Sequence, residues 1–131
     1  MTSNIEQFYQ DIGQAALAEA EDLAGKLVVY AEIEEDSVSA DLLYVESAGK
    51  VRFRFCSGDL RDLLYAFWEA WRGVAGNEEW RTLAYVINDD GRFAMDIQYP
   101  DQLDEDEGLP ERRPRVIAEH FDGMTVDYSR P

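Results

Sequence analysis

Residues 80–99 read W-R-T-L-A-Y-V-I-N-D-D-G-R-F-A-M-D-I-Q-Y, and this stretch decides the fold. Two apolar runs flank Asn88-Asp89-Asp90-Gly91, residue types that tolerate the positive φ of a tight hairpin. The second run alternates, with Phe93, Met95, Ile97 and Tyr99 on one face and Arg92, Ala94, Asp96 and Gln98 on the other. The first is apolar on both faces, Leu83, Tyr85 and Ile87 against Ala84 and Val86, as an inner strand is. The pattern predicts a β-hairpin at the centre of a sheet, with helices covering its apolar face.

On the N-terminal side, Ser3 and Glu6 form a capping-box signature. Ile5, Phe8, Ile12, Ala15, Ala16 and Leu23 follow at helical spacing, and Gly25 is expected to end the helix. Gly13 either weakens that helix modestly or marks close packing. From Lys26 the period becomes two: Leu27, Val29, Ala31 and Ile33 oppose Val28, Tyr30, Glu32 and Glu34. Val38 to Val45, and then Val51, Phe53 and Phe55, read as two more strands of an antiparallel meander. Arg52 and Arg54 are expected to neutralise cross-strand acids such as Asp41. Ser57 or Asp59 caps a second helix whose stripe is Leu60, Leu63, Leu64, Phe67, Trp71 and Val74. Trp68 lies off the stripe's centre and is a candidate partner contact, because a flanking tryptophan is a common interface anchor.

Beyond the hairpin, an acid-rich loop leads to a short helix through Val116, Ile117 and Phe121. Its regular part is expected to start near Pro114, since an interior proline loses a donor and clashes. The tail either adds a strand through Thr125, Val126 and Tyr128 or frays. The chain thus reads as one α+β domain over residues 1–131, in the order α-β-β-β-α-β-β-α. Its expected form is a two-layer domain, an antiparallel sheet of about five strands with helices mainly on one face.

Twenty-eight acids oppose twelve bases, a net charge of −16. Such a field repels nucleic acid and anionic membrane, favours solubility, and speeds encounter with basic partners. Residues 1–50 carry eleven acids against two lysines and residues 101–131 nine against four arginines, whereas the middle is near balance at eight against six. If folding brings the two ends together, they make an acidic surface over a neutral body. The candidate partner-binding residues are therefore Glu32, Glu34, Glu35 and Asp36, then Asp101, Asp104, Glu105, Asp106 and Glu107, with Trp68. One cysteine precludes an intrachain disulfide, and the N-terminus lacks the basic and apolar regions of a signal peptide. With no apolar run of membrane-spanning length, a cytoplasmic protein is expected.

The chemical inventory is thin. His120 stands alone beside Phe121 and reads as structural, and Cys56 as a buried inert thiol. Gly73-x-x-Gly76 lacks the length and ending of a phosphate loop. Asp101, Asp104, Asp106 and Glu107 loosely resemble a calcium-binding segment but lack its spacing and closing glutamate, so a solvated charge run is expected. No catalytic residue, cofactor site or metal site is assigned.

The Trp80-to-Gly91 spacing continues as G-x-F-x-x-D-x-x-Y through Gly91, Phe93, Asp96 and Tyr99. Upstream stands Val29-Tyr30-Ala31-Glu32, entering an acidic turn, and downstream Glu111-Arg112 and then Phe121 and Gly123. In this order the motifs resemble the YezG-like immunity proteins, the toxin-neutralising partners of bacterial polymorphic toxin systems, over nearly the whole chain. Two departures are Pro114, where the family tends to be continuously helical, and Val116-Ile117-Ala118-Glu119-His120, where an aromatic run is expected. The resemblance implies a non-enzymatic inhibitor of a cognate toxin, often a nuclease, with no catalytic residues and no cofactor. A small acidic metal-dependent enzyme and an acidic adaptor with a basic non-toxin partner are the alternative classes.

Overall fold

The computed structural model describes residues 4–34, 37–74, 76, 78–103 and 106–127. Within them the chain forms α1 (Asn4–Glu19), β1 (Leu23–Glu34), β2 (Ser37–Glu46), β3 (Val51–Phe55) and α2 (Gly58–Arg72). Then come β4 (Thr82–Ile87), β5 (Phe93–Gln98), a 3-10 turn (Pro100–Gln102), α3 (Leu109–His120) and β6 (Val126–Asp127). The strands join in one six-stranded sheet, ordered β5-β4-β1-β2-β3-β6. Its consecutive pairs are antiparallel except β3 with β6, where Val51 faces Val126 in parallel. The fold is α+β as expected, with a mixed rather than purely antiparallel sheet.

Period-two alternation divides the sheet's side chains between two cores. Leu27, Val29, Ala31 and Ile33 join Leu42, Tyr44, Leu83, Tyr85 and Ile87 under α1 and α2, which contribute Ile12, Ala16, Leu60, Leu64 and Phe67. Val28, Tyr30, Leu43, Phe53, Ala84 and Val86 face the other way and are covered by Ile117 and Phe121 of the α3 segment. The architecture therefore has a third layer that the two-layer reading did not include. Its signal was present, because β1 and β4 are apolar on both faces.

Several local expectations are corrected. The hairpin β4–β5 lies at the side of the sheet, with β1 and β2 central and β5 an edge strand. Gly25 does not end α1: it sits within β1, where an added Cβ would lie 3.1 Å from that of Val45. The turn after α1 is made by Asp22 (φ 63°), an aspartate tolerating the left-handed region, and its carboxylate accepts from Ser47. Pro114 lies inside α3, which starts five residues before it, at Leu109. The expectation for Arg52 and Arg54 fails on parity. They stand opposite Tyr44 and Leu42, on the α1–α2 face, whereas Asp41 pairs with Phe55 and faces α3. Arg52 reaches Glu46 instead, and Arg54 donates to the carbonyl of Glu19 at the end of α1.

Ser57 caps α2, its hydroxyl accepting from the amide of Leu60. Gly13 marks close packing: the Tyr85 hydroxyl donates to the Tyr9 carbonyl at 2.6 Å across the space a side chain would fill. No helix among the described residues is long and apolar enough to cross a membrane.

Candidate functional site

The two acid-rich parts of the chain meet at one end of the sheet. β1 leaves it at Glu34, β2 re-enters at Ser37, and β4 starts beside them because Glu32 pairs with Thr82. Thr82 in turn pairs with Gln98, so β5 exits at the same end into Pro100–Gln102 and the segment leading to α3. Antiparallel topology alone thus carries the loop after Tyr99 to the turn after Glu34.

Arginines from α3 fasten that end. Arg112 grips Glu32 with two bonds of 2.8 Å, and its third nitrogen donates to the Glu107 carbonyl at 2.7 Å. Tyr30 donates to the same Glu32 carboxylate at 2.7 Å. Next to it, Arg113 holds Asp41 through bonds of 2.7 and 3.1 Å and lies over the Phe53 ring. Arg115 pairs with the Glu107 carboxylate, and Arg81, just before β4, pairs with Glu34 at 2.8 Å. Planar guanidinium forks suit these two-point contacts, which a lysine would not reproduce.

The environments of these groups differ. Burial pushes the Glu32 carboxyl up, but Arg112, Tyr30 and Arg81 together outweigh it and hold the group below its usual range. Asp41 moves the opposite way: burial, joined by the nearby charge of Glu32, prevails over Arg113 and raises it. The Tyr30 hydroxyl is raised by burial and by its bond to Glu32, so it remains a donor. His120 is lowered by burial, with Lys26 adding to the effect. Burial pushes the Cys56 thiol far up, so it carries no thiolate at neutral pH.

The candidate residues separate into three groups. Glu32 is not a contact residue: its carboxylate is about 10% exposed and consumed by Arg112 and Tyr30. Trp68 is wholly buried, and its indole donates to the Trp80 carbonyl, so it cannot anchor a partner. The helical wheel misplaced it because Trp80 and Tyr65 pack over that flank of α2, widening the buried stripe. Glu107 is partly buried against Arg115. Glu34, Asp101 and Asp106 are exposed at the sheet end. Glu35, Asp36, Asp104 and Glu105 lie outside the described residues.

Sequence reasoning missed Arg112, Arg113 and Asp41 as the fastening set. The available signal was Arg112-Arg113-x-Arg115 in an otherwise acidic third of the chain, which implies local acids to satisfy. A cavity of about 70 Å³ lies between α3 and the sheet, lined by Tyr30, Asp96, Arg112, Arg115 and His120. That is well below the roughly 300–1,000 Å³ of ordinary ligand pockets. Two open grooves of about 380 and 540 Å³ share Val38 and Arg61 beside β2. Among the described residues, no three His, Cys, Asp or Glu side chains converge as a metal site. No protein-family model and no curated protein matches the chain.

Proposed function

We propose that this chain is a non-enzymatic immunity protein, acting in the cytoplasm, that captures a basic toxin domain through the acidic end of its sheet. A nuclease is the toxin class that fits best, because a nuclease must offer cations to phosphate and an acidic surface competes for them. One observation carries the reading. The arginines at this end, Arg81, Arg112, Arg113 and Arg115, are each paired with an acid of the same chain, Arg81 with Glu34 itself, and the Glu34, Asp101 and Asp106 side chains stand on the exposed surface there. The positive charge at this end is met within the chain, and the chain as a whole carries sixteen acids in excess of its bases. The motif order shared with the YezG-like immunity proteins points to the same class.

The test is a titration of the whole chain, at low and high salt, against candidate basic nuclease-toxin domains, taken first from any toxin gene found next to its own. A triple variant, Glu34→Lys, Asp101→Lys and Asp106→Lys, provides the comparison. The expected result is inhibition of the toxin, with association at least about tenfold slower for the variant and for wild type at high salt. Inhibition with unchanged association in both cases would remove the acidic end from the mechanism. No association with any such toxin domain would remove the immunity reading itself.

A further inference from the structure

We propose that the outer edge of β5 pairs with β5 of a second copy, antiparallel, giving a homodimer with a continuous sheet. This goes beyond the toxin-binding reading and does not depend on it. β5 is the last strand of the sheet, and among the described residues no strand pairs with its outer side. An open edge of six residues is a template for further pairing, and natural proteins normally blunt it.

The ladder geometry shows which groups are offered. Asn88 donates to the Arg92 carbonyl at 2.8 Å, closing the hairpin as a bonded pair. Bonded and non-bonded pairs alternate in an antiparallel ladder, so Val86 with Ala94 and Ala84 with Asp96 are bonded in turn. Phe93, Met95 and Ile97 therefore direct their amides and carbonyls away from β4. A second β5 bonds to them in any register that sets these residues opposite one another.

Side-chain chemistry selects one register. With Ala94 facing Ala94 of the second copy, Phe93 faces Met95 in bonded pairs, and Arg92 faces Asp96 twice. Faces are conserved, because each pair joins residues of the same parity. Phe93, about half exposed although its ring stacks on Tyr85, gains cover from the second copy's Met95. Arg92, with 87% of its side chain exposed and only a 3.6 Å pairing with Asp90 of its own hairpin turn, gains a second carboxylate across the strands. Shifting by two residues puts Asp96 opposite either Ala94 or Asp90, and loses both ion pairs. The self-complementary placement of one cation and one anion, four residues apart on one face, is the specific observation favouring a second copy over another occupant.

The test uses charge swaps at exposed positions of the whole chain, read by sedimentation equilibrium with circular dichroism as a check on folding. Wild type is expected to reach the mass of two chains with rising concentration. Arg92→Asp and Asp96→Arg each place like charges opposite one another twice and should weaken self-association at least about tenfold. A mixture of the two single variants restores both ion pairs and should form a heterodimer, and the double variant should recover self-association. A wild type that stays monomeric at every concentration, single variants that dimerise like wild type, or a mixture that fails to associate would each overturn the proposal. Folded monomers that bind the toxin domain normally would overturn it while leaving the proposed function intact.

Discussion

At Arg112 a single side chain joins three parts of the chain: Glu32 of β1, the Glu107 backbone and α3. Both charges are about nine-tenths buried, so removing one strands the other. Arg112→Met should cost about 3–5 kcal/mol in urea denaturation, and adding Glu32→Met should recover most of that loss. The titrating groups give stability a shape in acid. His120 has a folded pKa below its ordinary 6.5, so the unfolded chain takes up that proton more readily. Its contribution is full above pH 6.5 and is lost as pH falls through the folded value. Glu32 behaves likewise lower down: stability is present above its ordinary 4.5 and is lost as pH falls through its depressed folded value. Asp41 opposes this, because its raised folded pKa lets protonation return stability as pH falls towards 3.8. Urea midpoints against pH should therefore show an upper step that His120→Asn abolishes and a lower one that Glu32→Gln reduces.

At the scale of elements, α1 and α3 each carry a residue that helix propensity disfavours, for opposite reasons. Gly13→Ala would ordinarily add roughly 0.5–1 kcal/mol to a helix. Here the new Cβ would sit 2.6 Å from the Tyr85 hydroxyl, whose ring is buried and stacked on Phe93. Gly13→Ala should therefore destabilise wild type by about 1–3 kcal/mol, with a smaller or reversed effect in a Tyr85→Phe background, as a double-mutant cycle would reveal. Pro114 is exposed and touches no such constraint, yet it breaks the α3 ladder. Pro114→Ala should raise the unfolding free energy measured in urea by about 1 kcal/mol or more. The sequence disclosed strands well because their patterns are local: β3 and β5 alternate with period two, and β4 stands out as a short continuous apolar run. Sheet order was not legible: whether hairpin β4–β5 is central or lateral depends on β1 pairing with β4 across fifty residues of intervening chain. The same holds at the site, where exposed Glu34 and buried Glu32 look alike until Arg112 arrives from eighty residues away. Trp68 was misread because burial on α2 is decided by Trp80, which belongs to another segment.

For the whole molecule the dominant fact is a charge of −16 on 131 residues, with the strongest ion pairs already internal. Self-repulsion among exposed acids opposes the compact state and is screened by salt, whereas the pairs under α3 are sheltered from it. Thermal midpoints at fixed neutral pH should therefore rise as monovalent salt increases from low ionic strength towards about 0.15 M. The placement of the indoles bears on how every such experiment is read. Trp68 and Trp80 are buried together and Trp71 donates to the Glu78 carbonyl, so all three chromophores report on the junction between α2 and β4. Emission will follow the melting of that corner and stay dark to α3 lifting from the far side of the sheet. A denaturation curve by fluorescence that lags one by far-ultraviolet dichroism would thus reveal the arginine-fastened helix leaving first.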